Sequence, residues 1–136
     1  MKTIQGKGSG ESMKSPILNQ INTVFVHVSN LKDSVRWYSK LLGQEYDVDQ
    51  VEDPVYNLTI NHFTGLTLDA GPDGVMKEAG RSKHPLFNFH TENIEEAYSY
   101  VEQLNYEIVS DITRFDDFSF FVIQDPDGNR IMICTG

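Results

Sequence analysis

Cysteine occurs once in these 136 residues, at Cys134, so the chain can form no internal disulfide, and a reducing cytoplasm is the expected setting. No apolar run approaches the roughly 20 residues that a membrane helix requires. Nothing near the N-terminus has the apolar core of a secretory signal. Basic residues are scarce: 11 Lys and Arg stand against 20 Asp and Glu, a formal net charge of −9. Nucleic acid, whose phosphates this charge repels, is therefore not an expected partner, whereas a neutral or cationic ligand is compatible with it. The sequence also lacks a glycine-rich phosphate loop, a Ser-His-Asp pattern and a zinc-type CxxC.

What is present is organised around residues 24–38, VFVHVSNLKDSVRWY. Val24, Val26 and Val28 alternate with Phe25 and His27, the period-two pattern of a strand with two different faces. Asn30 is placed to cap a helix whose apolar stripe is Leu31, Ser34, Val35, Tyr38, Leu41 and Leu42, and Gly43 suits its left-handed C-terminal turn. A related unit returns at residues 87–104, FNFHTENIEEAYSYVEQL, with Asn93 in the place of Asn30 and His90 in the place of His27. There Asn93 and Glu96 have capping-box spacing, and Ile94, Ala97, Tyr98, Val101 and Leu104 form the stripe. A single repeat of this kind means two copies of one supersecondary module rather than a solenoid.

The rest of the chain falls around these units. Residues 1–21 carry Gly6, Gly8 and Gly10 without periodicity and are expected to be a flexible N-terminal tail, with Met13 an alternative start. Residues 22–136 form one domain of a size able to bury a core without staples. Its first module covers about residues 22–69, with strands expected at 44–48, 55–63 and 66–69. A glycine-rich linker follows at 70–84. The second module covers about residues 85–136, with a short strand at 106–109, a polar loop at 111–117, and a closing hairpin of 118–124 and 130–134 around the turn DPDGN.

One strand face collects Val24, Val26, Val28, Leu58, Ile60, Leu66, Leu68, Phe87, Phe89, Phe121, Ile123, Ile131 and Ile133, the expected core. The other collects Phe25, His27, Asn57, Thr59, Asn61, Asn88, His90, Phe120, Gln124, Arg130 and Met132, together with Thr23, Thr67, Asp69 and Val122. That mixture of amides, hydroxyls, imidazoles and aromatics is neither a dry core nor a Lys/Glu-rich surface. It reads as the lining of a cleft for a small molecule. His27 and His90 are then either ligand contacts, a two-histidine metal site with Asp69, or hydrogen-bonded residues of a wet pocket or rim positions exposed to solvent. His62 and His84 are expected at the surface. Arg114 and Arg130 are able to pair with an anion, and Trp37 and Tyr38 belong to the core and its margin. Cys134 has no activating His and carboxylate beside it.

VFVHVSNLKDSVRWYSKLLG resembles the opening of a vicinal oxygen chelate module, and FVIQDPDGNRIMI resembles the closing hairpin of a second. This superfamily includes glyoxalase I, extradiol dioxygenases and bleomycin-resistance proteins. The resemblance implies an α+β fold of two tandem βαβββ modules, whose curled mixed sheets surround a cleft with the helices packed outside. It also implies a homodimer and, in most relatives, a divalent metal held by His, Gln or Glu. Carried over, the ligand positions fall at Thr23, at Thr67 or Asp69, at Leu86 and at Met132. Leucine and methionine supply no hard donor, so the expected metal site is none and no cofactor is expected. The sequence thus predicts a small-molecule-binding protein of the glyoxalase/bleomycin-resistance type. The alternative is a metal-dependent lyase, isomerase or dioxygenase with displaced ligands.

Overall fold

Val26 and Val28 are fully buried, while Phe25 and His27, which alternate with them, are exposed, so the alternation in and just after the first strand, β1 (Thr23–His27), separates a core face from an open face. The structure is a computed structural model, and it describes residues 14–19, 21–61, 64–71 and 84–136. Most of the expected tail and linker, residues 1–13 and 72–83, lies outside the described residues, as does His62.

Helix α1 (Leu31–Leu42) starts where the Asn30 side chain accepts the Asp33 N–H at 3.0 Å, and it ends at Gly43, whose φ of 69° is left-handed. Trp37 joins Leu31, Ser34, Val35 and Tyr38 on its buried face, whereas Leu41 and Leu42 are only half-buried. Trp37 is drawn inward by a stacked contact with Tyr106, 4.6 Å between ring centroids.

Strands β2 (Val55–Leu58) and β3 (Gly65–Asp69) complete a three-stranded sheet in the order β1-β3-β2, with β1 parallel and β2 antiparallel to β3. The strand expected at residues 44–48 does not form. Asp47 instead caps a 3-10 turn (Val48–Gln50), its carboxylate accepting the Asp49 N–H at 3.0 Å. Gln44 reaches the sheet edge through its side chain, donating to the Thr59 carbonyl at 2.7 Å. β2 also stops short of residue 63, and Asn61 accepts the Thr64 N–H at 2.7 Å in a local turn that competes with the ladder.

The second sheet is built from β4 (Asn88–His90), β5 (Glu107–Ile108), β6 (Thr113–Arg114), β7 (Ser119–Gln124) and β8 (Arg130–Cys134), in the order β4-β8-β7-β5 with β6 on β7. Residues 111–117 are therefore not wholly loop: Thr113 and Arg114 pair with Phe120 and Ser119. The Phe115 N–H donates to the Phe118 carbonyl at 2.8 Å and closes that hairpin. Helix α2 (Ile94–Gln103) begins at Asn93, which accepts the Glu96 N–H at 3.0 Å. Only half of the capping box is made, because the Asn93 N–H donates to the Thr91 hydroxyl at 3.3 Å.

The helices cover the apolar faces as expected: Val26, Val28, Leu58, Leu66, Leu68, Phe121, Ile123, Ile131 and Ile133 are buried, with Val24, Ile60, Phe87 and Phe89 packed against them. The fold is α+β with mixed sheets and helices outside. No helix among the described residues is long and apolar enough to cross a membrane.

The DPDGN turn does more than reverse the chain. Asp125 accepts from the Tyr38 hydroxyl at 2.7 Å, from the Asn129 N–H at 2.8 Å, from the Asp127 N–H at 2.9 Å and from the Asn129 amide at 2.9 Å. Asn129 also donates to the His27 carbonyl at 3.1 Å, and the Asp127 carboxylate accepts the Ser29 N–H at 3.1 Å. The turn of the second module is thereby clasped to the first strand and helix of the first. Two tyrosines of the second module add to this joint: Tyr106 donates to the Trp37 carbonyl at 2.8 Å, and Tyr100 to the Lys40 carbonyl.

Candidate functional site

Strand pairing sorts the sheet faces away from the helices into rows, because directly opposed residues share a face. In the first sheet Phe25, Thr67 and Asn57 form one row, and His27, Asp69 and Val55 the next. In the second sheet Asn88, Met132 and Val122 form one row, His90, Cys134 and Phe120 another, and Arg130, Gln124 and Glu107 a third. Phe25, His27, Asn57, Thr59, Asn61, Asn88 and His90 are exposed, and Phe120, Gln124, Arg130 and Met132 half-buried. Thr59 and Asn61 lie beyond the end of β2, so they extend the first face without belonging to its ladder. Val122 and Cys134 are buried despite their position on this face.

The polar groups of the first face hold one another. The Thr67 hydroxyl donates to the Asn57 side chain at 2.6 Å, and Asp69 accepts the Gly71 N–H at 2.8 Å. On the second face the Gln124 amide meets Glu107 at 3.3 Å, and the Asn88 amide lies 3.9 Å from the Met132 sulfur. Beside them is a feature that alternation alone misses, a shelf of three phenylalanine rings. Phe115 lies 4.9 Å from Phe118 and 6.2 Å from Phe120, with interplanar angles of 33° and 22°. Phe118 and Phe120 are 6.1 Å apart at 19°. Phe118 shares the strand parity of Phe120 and was legible on that ground. Phe115 reaches the shelf only through the turn at residues 115–118. It is 55% exposed, so a broad ring face stands open, with Asp116 and Asp117 at the hairpin tip beside it.

The sequence profile of the Glyoxalase/Bleomycin resistance protein/Dioxygenase superfamily matches residues 20–133. The chain belongs to that superfamily. Comparison with curated proteins finds no match. Among solved structures, a glyoxalase/dioxygenase from Nostoc punctiforme superposes with a TM-score of 0.68 at 18% identity, over 92% of this chain and 97% of that one. A lactoylglutathione lyase from Agrobacterium tumefaciens superposes with a TM-score of 0.65 at 16% identity, over 90% and 96%. A glyoxalase/bleomycin resistance protein from Catenulispora acidiphila does so with a TM-score of 0.62 at 16% identity, over 87% and 99%. At such identities these likenesses speak for the fold.

Within this superfamily fold the register decides between the two candidates on the closing strand of the first module. Asn88 pairs with Met132 as Phe25 pairs with Thr67, and His90 pairs with Cys134 as His27 pairs with Asp69. Thr67, not Asp69, is thus the counterpart of Met132. His27 and His90 stand on different sheets, His27 beside Asp69 and His90 beside Cys134. Among the described residues no group of three or more His, Cys, Asp or Glu converges in a way able to hold a metal ion. His84 is exposed. Arg114 pairs with Glu95 of α2, and this guanidinium holds the Glu95 carboxyl below its usual range. Cys134 is buried, and its sulfur accepts the Gly136 N–H at 3.3 Å.

Tyr38 is a strongly perturbed titrating group. Burial, and then the adjacent Asp125 carboxylate, push its hydroxyl well above 10.0. A neutral tyrosine that donates to a buried carboxylate is a structural pin, not an acid available to a substrate.

Proposed function

We propose that this chain is a small-molecule-binding protein of the glyoxalase/bleomycin-resistance type, which holds a flat, aromatic ligand on its open sheet faces without a metal ion. The observation that carries this reading is the chemistry at the four inherited ligand positions. Thr23 and Thr67 offer only neutral hydroxyls, and the Thr67 hydroxyl is already donated to Asn57. Leu86 and Met132 offer no hard donor, and a divalent ion of this kind wants three or four nitrogen or oxygen ligands. These residues do not fit such an ion.

The phenylalanine shelf supplies what a binder needs instead. Offset aromatic stacking contributes about 1 kcal/mol beyond the area buried. Asp116, Asp117 and the net charge of −9 favour a ligand carrying positive charge. The chain acts in the cytoplasm as a homodimer, an assembly supported by Phe25, 57% exposed on the first sheet, and by Phe115 on the second.

The test is a thermal-shift screen of planar aromatic compounds, cationic and neutral, with no metal added. A ligand at ten times its dissociation constant stabilises the fold by about 1.4 kcal/mol, a shift of about 4 °C for a domain of this size. Silence across the panel refutes the reading. A stoichiometric divalent ion in protein purified without chelator would instead favour a metal-dependent enzyme built on His27 and its neighbour Asp69.

A further inference from the structure

A cavity of about 400 Å³ lies between the C-terminal end of α1, α2 and the end of β4. Small-ligand pockets span roughly 300–1,000 Å³. Leu41 and Leu42 close one side of it and Ala97 and Val101 the other, so its body is apolar. His90 borders it, and Glu96 is the only charged residue in its lining.

Glu96 stands in the third position of α2, where a capping box would fold its side chain back onto the Asn93 N–H. Thr91 takes that N–H instead, so the Glu96 carboxylate is left at the cavity with no hydrogen-bond partner among the described residues. The nearby cation that α2 does attract, Arg114, is engaged by Glu95. The half-buried Leu41 and Leu42 both line this cavity, which leaves part of the α1 stripe open to it.

The geometry points to a second binding site, for a small amine with an apolar body, seated between the two helices with its ammonium on Glu96. The amine gives the carboxylate the charge-assisted hydrogen bond that the cap does not. Its apolar body covers the ends of both helices. Because α1 belongs to the first module and α2 to the second, a ligand there bridges the two modules. This site is independent of the reading given above for the sheet faces.

The experiment is a titration of the full chain with tryptamine, followed by calorimetry and by chemical shifts in amide spectra, in parallel with neutral 3-ethylindole and anionic indole-3-propionate. Tryptamine is expected to bind most tightly and indole-3-propionate least, with the largest shifts at residues 41–42 and 96–101. Glu96→Gln is expected to weaken tryptamine about fivefold, as suits a partly solvated ion pair, and to leave 3-ethylindole unchanged. Ala97→Leu, which puts three further carbons into the cavity, is expected to abolish the shifts at residues 41–42 and 96–101 with both. Phe115→Ala, which lies outside the lining of this cavity, is expected to leave the shifts at residues 41–42 and 96–101 in place while weakening any binding at the aromatic shelf, so loss of the shelf and loss of this site are told apart. Absence of tryptamine-induced shifts at residues 41–42 and 96–101 overturns the proposal, as do shifts there that survive Ala97→Leu or show no preference among the three charges.

Discussion

Asp125→Ala should be the most damaging single substitution outside the apolar core. The carboxylate holds together donors from two modules: the Tyr38 hydroxyl, the Asn129 N–H and amide, and the Asp127 N–H. Tyr38 and Asn129 are almost completely buried, so water cannot simply replace the lost acceptor. Each orphaned buried donor costs about 1–3 kcal/mol. Relaxation and entering water lower the sum, to about 3–5 kcal/mol for the donors left without this acceptor. That is a large share of the roughly 5–15 kcal/mol available to a domain. Tyr38→Phe is a milder cut, because Asp125 keeps its other donors, and should cost about 2 kcal/mol. Urea unfolding followed by circular dichroism measures both, and hydrogen exchange at Ser29, whose N–H is held by Asp127, reports the joint itself. A loss below about 1 kcal/mol for Asp125→Ala, the scale of an ordinary surface change, would refute the clasp as a stabilising device.

Alkaline pH gives a second test. The Tyr38 pKa is raised in the folded state, so its contribution is fully present below pH 10.0 and is lost as pH climbs toward the folded value. Stability should fall there by about 1.4 kcal/mol per pH unit for this residue, and Tyr38→Phe should remove that slope in pH-dependent urea titrations. Tyr106, pushed up to about 12 chiefly by burial, should add to the fall over a window that closes near pH 12. Phe115→Ala should weaken an aromatic ligand about fivefold in calorimetry, the equivalent of about 1 kcal/mol of stacking, while moving the unfolding midpoint little. Phe25→Asp should shift the assembly toward monomer in light scattering at equal concentration; a chain that is monomeric throughout overturns the dimer.

The parts of this fold set by neighbours in sequence were legible. Asn30, Gly43 and Asn93 mark helix ends by local chemistry, and the parity of Val26, Phe121 and Ile131 marks the core faces. The misread segments are those where a short-range pattern met a stronger competitor. Residues 44–48 alternate, yet Asp47 caps a turn there and the edge is tied by the Gln44 side chain. β6 is two residues long and exists only because β7 offers it a partner. The candidate site divides in the same way. His27, Asn57 and Met132 follow from strand parity, whereas Phe115 arrives through a turn, and Tyr38 meets Asp125 across 87 positions of sequence.

That last contact also shapes how the site can work. The hairpin that carries Gln124, Arg130 and Met132 on its open side is the hairpin whose turn is pinned to α1 by Asp125 and to the end of β1 by Asn129. His27 supplies the carbonyl that Asn129 holds, so the end of β1 in one sheet and the closing strands of the other are fixed to a common joint. A joint made of short hydrogen bonds to a buried carboxylate is stiff, and a stiff frame spares a ligand the entropy of ordering its own site. Loosening the joint by Tyr38→Phe therefore acts on affinity through the frame, with no group in contact with the ligand altered.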